Sequence, residues 1–393
     1  MLAWWAVAIS AVCAAGLMPL AMRSRSLGHD VPRGVQKLHQ VSTSRLGGAF
    51  VFLACVATGA AGELFGHSLL SGTAPLLWCA LPLVAAGLAE DLTGRVRPRY
   101  RVLAAVVSAM LASVYAQGTI PRLDLPWVDA WLGHAWVLLP LTWFMVAGAC
   151  NAINIIDGAH GLAAGTGVIM LGGIALAAAG GGDAPTFTEA ATIMGALTGF
   201  LVWNYPRGRI FLGDTGAYFI GFAYAELSMR LVARNPELSA WYVIVLGAYP
   251  IVETVFSMYR RGVLRRMPLM APEGVHLHSL VYRRVALPIE RRRGSANLSA
   301  ANARVAPRLW LHGMLCFALA VAFHDSTPTL IACFVGYAAF YVHRYRALVR
   351  FAARPGRGWH RRHRSEAAGG HVLRRAAALA LRARRDRESD AHL

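Results

Sequence analysis

Charge is scarce in this chain. Asp, Glu, Lys and Arg make up 15% of its 393 residues, against 56% hydrophobic. An ordinary soluble domain carries about 25% charged residues, so the composition excludes a soluble enzyme. There is no CxxC pair, and the cysteines (Cys13, Cys55, Cys79, Cys150, Cys316, Cys333) all fall inside apolar runs. That argues against a disulfide framework or a zinc cluster and suits small apolar packing residues. No GxxxxGK[ST] segment occurs, which excludes a P-loop ATPase. No Lys or Arg precedes the first apolar run, so the basic n-region of a cleaved signal peptide is missing. The basic residues follow that run, as expected of a retained first helix with its N-terminus outside.

What the chain has is apolar runs of membrane-spanning length. They predict an all-α integral membrane protein with about eleven transmembrane helices, near 1–22, 47–66, 73–90, 102–118, 134–150, 160–180, 188–204, 211–232, 239–259, 308–324 and 327–345. With that count, one side of the membrane collects all of the 39 Lys and Arg except Arg122, Arg230 and Arg234. The positive-inside rule then puts the N-terminus in the periplasm and the C-terminus in the cytoplasm. The expected organisation is a polytopic catalytic domain over 1–346 and a basic cytoplasmic tail over 347–393. The tail has no aromatic or motif support for binding nucleic acid, so its expected partner is the anionic surface of the lipid bilayer. Segment 118–134, with Pro121, Pro126, Trp127 and Trp131, reads as an interfacial loop or short amphipathic piece.

The polar motifs collect in successive internal loops. Segment 151–161 holds Asn151, Asn154 and Asp157-Gly158 between two long apolar runs. A central carboxylate in lipid costs roughly 2.5–3.5 kcal/mol on insertion scales, so such groups usually face a cavity or a site. Asp157-Gly158 also supplies turn chemistry. The first loop contains Lys37, His39 and Arg45, followed by Gly47-Gly48 at a helix start. Cations ahead of two glycines can hold a phosphate, because glycine lets backbone N–H groups approach and the helix N-terminus adds partial positive charge. Glu90-Asp91 closes the third apolar run, and adjacent carboxylates there repel unless a cation or proton lies between them. Capping of a helix does not account for two of them. Arg207, Arg209 and Gly213-Asp214-Thr215-Gly216 form the next loop, where Asp214 suits an N-cap, a Mg²⁺ ligand or both.

Two further features stand beyond these. Glu253 and Arg260 are seven residues apart and share one helical face, which reads as structural. His276 and His278 would point the same way from an extended segment. Without a Cys or a third His, zinc is weakly supported, and neutral-to-cationic imidazoles suit phosphate better. Carboxylates, histidines, Lys37 and arginines on one membrane face describe a Mg²⁺–diphosphate site. A transporter of anionic or lipid-linked substrates is the alternative. It would need ionisable residues near the midplane and symmetric interrupted helices, and the sequence shows no internal repeat.

Together the motifs resemble those of the polyprenyl-phosphate N-acetylhexosamine-1-phosphate transferase family. The matching residues are Lys37, His39, Arg45 and Gly47-Gly48; Asp91; Asn151, Asn154 and Asp157-Gly158; Phe211, Gly213-Asp214 and Gly216; and His276-Leu277-His278. Glu90 stands where the family usually has the first Asp of a pair, and His160 where many members have a second Asp. Ser44, Ala217 and Ser279 replace a common Pro, Ser and His.

The resemblance implies a bacterial inner-membrane enzyme that moves a sugar 1-phosphate from a UDP-sugar to undecaprenyl phosphate. UMP is released, with Mg²⁺ or Mn²⁺ as cofactor, and a homodimer is compatible with this reading. It implies that Asp91, with Glu90, activates or orients the lipid phosphate and that Asp214, with Asp91, binds the metal. Asn151, Asn154 and Asp157 would serve the nucleotide sugar or the metal's surroundings. Lys37, His39, Arg45, Arg209, His276 and His278 would contact phosphates. The segment 260–308 is expected to shape the sugar pocket. Its lack of an HHFE-like ending favours a simple N-acetylhexosamine over a peptide-bearing donor.

Overall fold

The computed structural model describes residues 4–23, 28–30, 43–64, 69–266, 274–294 and 297–351. Lys37 and His39 lie outside the described residues, as does nearly all of the basic tail. The helices are α1 (Trp4–Arg23), α2 (Gly47–Leu64), α3 (Leu69–Thr93), α4 (Pro98–Tyr115), α5 (Pro126–Leu132), α6 (Ala135–Ile156), α7 (Leu162–Gly180) and α8 (Ala184–Asn204). They continue as α9 (Gly213–Arg234), α10 (Trp241–Leu246), α11 (Ala248–Tyr259), α12 (Leu277–Val281), α13 (Leu287–Arg292), α14 (Leu298–Ala303), α15 (Val305–Ala322) and α16 (Thr327–Phe351). A two-residue antiparallel pair, β1 (His29–Asp30) with β2 (Thr43–Ser44), accompanies the first loop. The chain divides into two units, Met1–His343 and Arg344–Leu393, and only residues 344–351 of the second are described.

This is an all-α membrane protein. Among the described residues, five helices are long and apolar enough to cross a membrane: Gly47–Leu64, Thr73–Thr93, Ala135–Ile156, Leu162–Gly180 and Leu298–Ala322. Trp78, Trp136, Phe144 and Leu311 stand out from the bundle, as side chains solvated by lipid do. Of the other expected spans, α1 is apolar but shorter, over Trp5–Leu20, and several are helical but more polar, as α9 illustrates. It carries Asp214, Glu226, Arg230 and Arg234, yet nearly its whole length is buried against neighbouring helices. A helix sheathed in protein on all sides need not be apolar toward lipid.

The expected span 239–259 is broken at Gly247, between α10 and α11. Pro250 has no N–H to return to the Leu246 carbonyl, so one continuous helix would lose a bond there.

Small residues let the backbones close on one another, as is common between membrane helices. A Cβ at Gly195 or Gly199 of α8 would stand 2.4 Å from Val7 O or 2.2 Å from Ala11 O of α1. Three helices meet in the same way near the site. A Cβ on Gly48 of α2 would lie 2.0 Å from the Gly216 nitrogen of α9, and one on Gly87 of α3 would lie 2.7 Å from Thr215 Cα.

The three basic residues set apart by the charge count are each ion-paired. Arg122 Nε lies 2.8 Å from Asp124, Arg230 Nη1 2.7 Å from Glu189, and Arg234 Nη1 3.2 Å from Asp183. Arg122 also donates to the Val232 and Leu238 carbonyls at 2.8 and 2.6 Å, tying the α4–α5 connection to the chain end of α9. The buried Glu189–Arg230 pair, with Glu226 one helical turn before Arg230, places charge inside the bundle that the sequence reading did not identify.

Candidate active site

The ends of α3 and α6 and the starts of α2, α4 and α9 converge on one carboxylate, that of Asp214. Gly213 opens α9 with φ +72°, a left-handed conformation that favours glycine. A Cβ there would also meet the Arg45 carbonyl at 2.3 Å and the Asp91 carboxylate at 2.6 Å. Asp214 follows in the first helical turn and is buried. Its Oδ1 accepts from Asn154 Nδ2 at 2.9 Å and lies 3.5 Å from Arg45 Nη2. Arg101, in the first turn of α4, forms an ion pair with Oδ2 and also sits over the Tyr218 ring.

Asp91 has a different occupation. Its Oδ1 accepts from the Asp214 amide at 2.8 Å, and its Oδ2 accepts from the Thr215 amide at 2.9 Å and hydroxyl at 2.6 Å. Arg45 Nε is 3.5 Å from Oδ1. Asp91 therefore caps α9 from a separate helix, satisfying amides that an N-terminus leaves unpaired. The expected N-cap role of Asp214-Thr215 is thereby corrected: both residues lie within the helix and the cap comes from α3. Glu90 accepts from the Val96 amide at 2.7 Å and closes the turn between α3 and α4. Asp91 thus caps a helix while Glu90 holds a loop amide, so helix capping accounts for one of the two acids.

The second wall is the turn after α6. Asp157 occupies the C-cap of α6, and Gly158 packs against His278, whose Nε2 would be 2.1 Å from a Cβ there. Burial pushes the Asp157 carboxyl up to about 7; Arg45 opposes the rise and the Asp91 charge adds to it. His278 stacks on His276 with ring centroids 5.6 Å apart and planes 8° apart. Burial, then the neighbouring His276, push His278 down to about 4, with Glu253 opposing and Arg283 adding to the fall. At neutral pH it is an uncharged imidazole, the neutral end of the range expected for it. The segment is also not extended throughout: α12 begins at Leu277, so stacking rather than strand alternation aligns the two rings.

Several expected residues have other places. The Gly47 and Gly48 amides donate to the Phe211 and Leu212 carbonyls at 3.0 and 2.8 Å, so they are not free to bind a phosphate. Those glycines serve the contact between α2 and α9. Asn151 makes no side-chain hydrogen bond among the described residues, one turn before Asn154 on α6. Arg209 is exposed, 5.8 Å from the Trp203 ring, and does not join the Asp214 cluster. His160 packs against Phe211 and beneath Gly208, and its amide donates to Asn302 Oδ1 at 2.8 Å. The residue standing in for a common second Asp therefore secures the loop before α9.

Arg101 is the residue that sequence reasoning missed. It sits at the end of the alternating series Arg95, Arg97, Arg99, Arg101, which reads as topology-setting charge. Pro98 as the first residue of α4 is the signal that could have placed Arg101 in a first helical turn facing a neighbour.

Among the described residues, no group of three or more His, Cys, Asp or Glu is placed to hold a metal ion. Mg²⁺ asks for less, commonly one or two carboxylates completed by water and phosphate oxygens. Asp214 is the better candidate, since its oxygens face side chains alone, Asn154 and Arg45 at Oδ1 and the Arg101 ion pair at Oδ2. Asp91 offers less, because it already accepts three hydrogen bonds at the start of α9.

The family model described as glycosyl transferase family 4 matches residues 73–232. The chain is 29% identical over 252 residues to a protein of Bacillus subtilis described as a probable undecaprenyl-phosphate N-acetylglucosaminyl 1-phosphate transferase. That alignment covers 62% of this chain and 66% of the relative, just under two thirds of its length. A phospho-N-acetylmuramoyl-pentapeptide-transferase of Geobacillus thermodenitrificans is 29% identical over 286 residues, covering 67% and 86%. One from Shouchella clausii is 37% identical over 142 residues, covering 34% and 42%. The matched stretch contains Asp91, Arg101, Asn154, Asp157 and Asp214, and these similarities point to the same family that the sequence motifs resemble.

Proposed function

We propose that the protein transfers a sugar 1-phosphate, that of an N-acetylhexosamine, from a UDP-sugar to undecaprenyl phosphate, releasing UMP. In this reading an oxygen of the lipid phosphate bonds to the sugar-bearing phosphorus. The bond from that phosphorus to the bridging oxygen breaks, and UMP leaves with that oxygen. The observation that carries the reading is Asp214, a buried carboxylate held by Asn154 between Arg45 and Arg101. Asp214 would hold Mg²⁺ or Mn²⁺, which supplies charge neutralisation for the phosphate oxygens when bound. Arg45 and Arg101, each already neighbouring a carboxylate, are the cations within reach of a diphosphate. Asp157, close to neutral in its titration, is the group best suited to take a proton from the incoming lipid phosphate.

We assign the reaction to the inner face of the bacterial cytoplasmic membrane, at the start of a cell-envelope glycan such as O-antigen or capsule. We assign residues 1–346 to the catalytic domain, and the basic residues of 347–393 suit an anionic lipid surface. The likeness to the Bacillus subtilis N-acetylglucosaminyl 1-phosphate transferase supports the simple sugar. UMP release by purified protein, screened over UDP-N-acetylhexosamines and a peptide-bearing UDP-sugar, tests this. Turnover with the peptide-bearing donor alone would contradict it.

A further inference from the structure

Glu253 of α11 is fully buried, and an ionised carboxylate there is costly unless hydrogen bonds compensate it. Its partners come from three elements. Tyr341 of α16 donates its hydroxyl to Oε2 at 2.6 Å, and Ser257, one turn along α11, donates to Oε1 at 3.3 Å. The Leu277 amide lies 3.3 and 3.4 Å from the two oxygens, and His276 Nδ1 is 3.0 Å from Oε1. A carboxylate accepts only, so a bare Nδ1 would set two acceptors face to face at that distance. The Ser257 hydroxyl, 3.2 Å from Nδ1, gives its proton to the same carboxylate, so the proton of a neutral His276 belongs on Nδ1, and Nε2, which makes no hydrogen bond among the described residues, is left as the acceptor. His276 stacks on His278, and His278 rests on Gly158, beside Asp157.

Building on the transfer reaction above, we propose that Glu253, clamped by Tyr341, is a positioning residue. It fixes the tautomer and ring plane of His276 and, through the stacked His278, the wall of the site at Asp157–Gly158. Neither Glu253 nor Tyr341 belongs to the motifs that carry the family resemblance, and Tyr341 is 65 positions along the chain from His276. Partners that orient a metal-ligating histidine are typically worth on the order of 10–100-fold, and that sets the scale for an oriented histidine here.

Two measurements on the full-length protein in nanodiscs test this. In UMP release, Glu253→Gln should lower kcat about tenfold or more, leaving donor KM within about twofold. Glu253→Asp should recover part of the loss, and Tyr341→Phe should show a smaller loss of the same kind. Wild-type kcat in Glu253→Gln would overturn the proposal. Separately, histidine-selective ¹⁵N NMR, with His276 assigned by the signal lost in His276→Gln, reads the tautomer without turnover. A protonated Nδ1 with bare Nε2 in the wild type, shifted in Tyr341→Phe, is expected; a bare Nδ1 would overturn the proposal. Failure of the wild type to release UMP from any donor would sink the transfer reading alone, and the NMR result would still decide the tautomer.

Discussion

Asp91 and Asp214 are both acids at the ends of buried helices, and their partners separate their roles. Asp91 spends both oxygens on the start of α9, whereas Asp214 faces two arginines and a carboxamide. Asp91→Ala should therefore strip the cap from α9 and leave buried amides unsatisfied, lowering stability by about 1–3 kcal/mol. Thermal melting in detergent checks this, and an unchanged midpoint would show that the cap is dispensable. As the proposed base, Asp157 should carry the pH dependence. Its carboxyl, raised to about 7 by burial, stays protonated below that value. Turnover should rise as pH increases through about 7, and Asp157→Asn should remove that rise; a profile unchanged in the variant would assign it elsewhere.

At this scale the chain was half legible. The acids stood out because a carboxylate beside an apolar run is expensive, but what each acid bonds to did not. Asp91 meets Thr215 across 124 positions, and no local pattern encodes that pairing. Arg101 was masked by its neighbours, since four alternating arginines already have a sufficient reason in topology.

At the scale of elements, the site depends on how closely α2, α3 and α9 approach. Gly48, Gly87 and Gly216 permit it, and the sequence reading had given Gly47-Gly48 to phosphate. The motif was visible; its purpose needed the partner helix, whose backbone occupies the space a side chain would take. Gly48→Ala would place a Cβ 2.0 Å from a backbone nitrogen that cannot yield without moving α9. Overpacking of this kind costs about 1–3 kcal/mol. The variant should melt earlier and lose turnover together, and normal melting would refute the tight contact. The break between α10 and α11 was foreshadowed by Pro250 but hidden by the continuous apolar run around it.

For the molecule as a whole, hydropathy predicted an all-helical membrane protein well, because apolar run length reports lipid contact directly. It is less informative for α9, which is buried in protein along nearly its whole length. The Glu189–Arg230 pair lies in that interior. Arg230→Met should leave a buried carboxylate unpaired and cost about 3–5 kcal/mol. Adding Glu189→Gln should restore much of the loss. Melting of the single and double variants reads this coupling, and strict additivity would show that the pair does not interact.

The central claim is that the Asp214 cluster transfers a sugar phosphate to a lipid phosphate. Its most direct test is UMP release by the purified full-length protein with Mg²⁺, UDP-N-acetylhexosamine and undecaprenyl phosphate. The account predicts release that requires the lipid phosphate and is abolished in Asp214→Asn, while that variant still folds. UMP release at the wild-type rate from Asp214→Asn would contradict it.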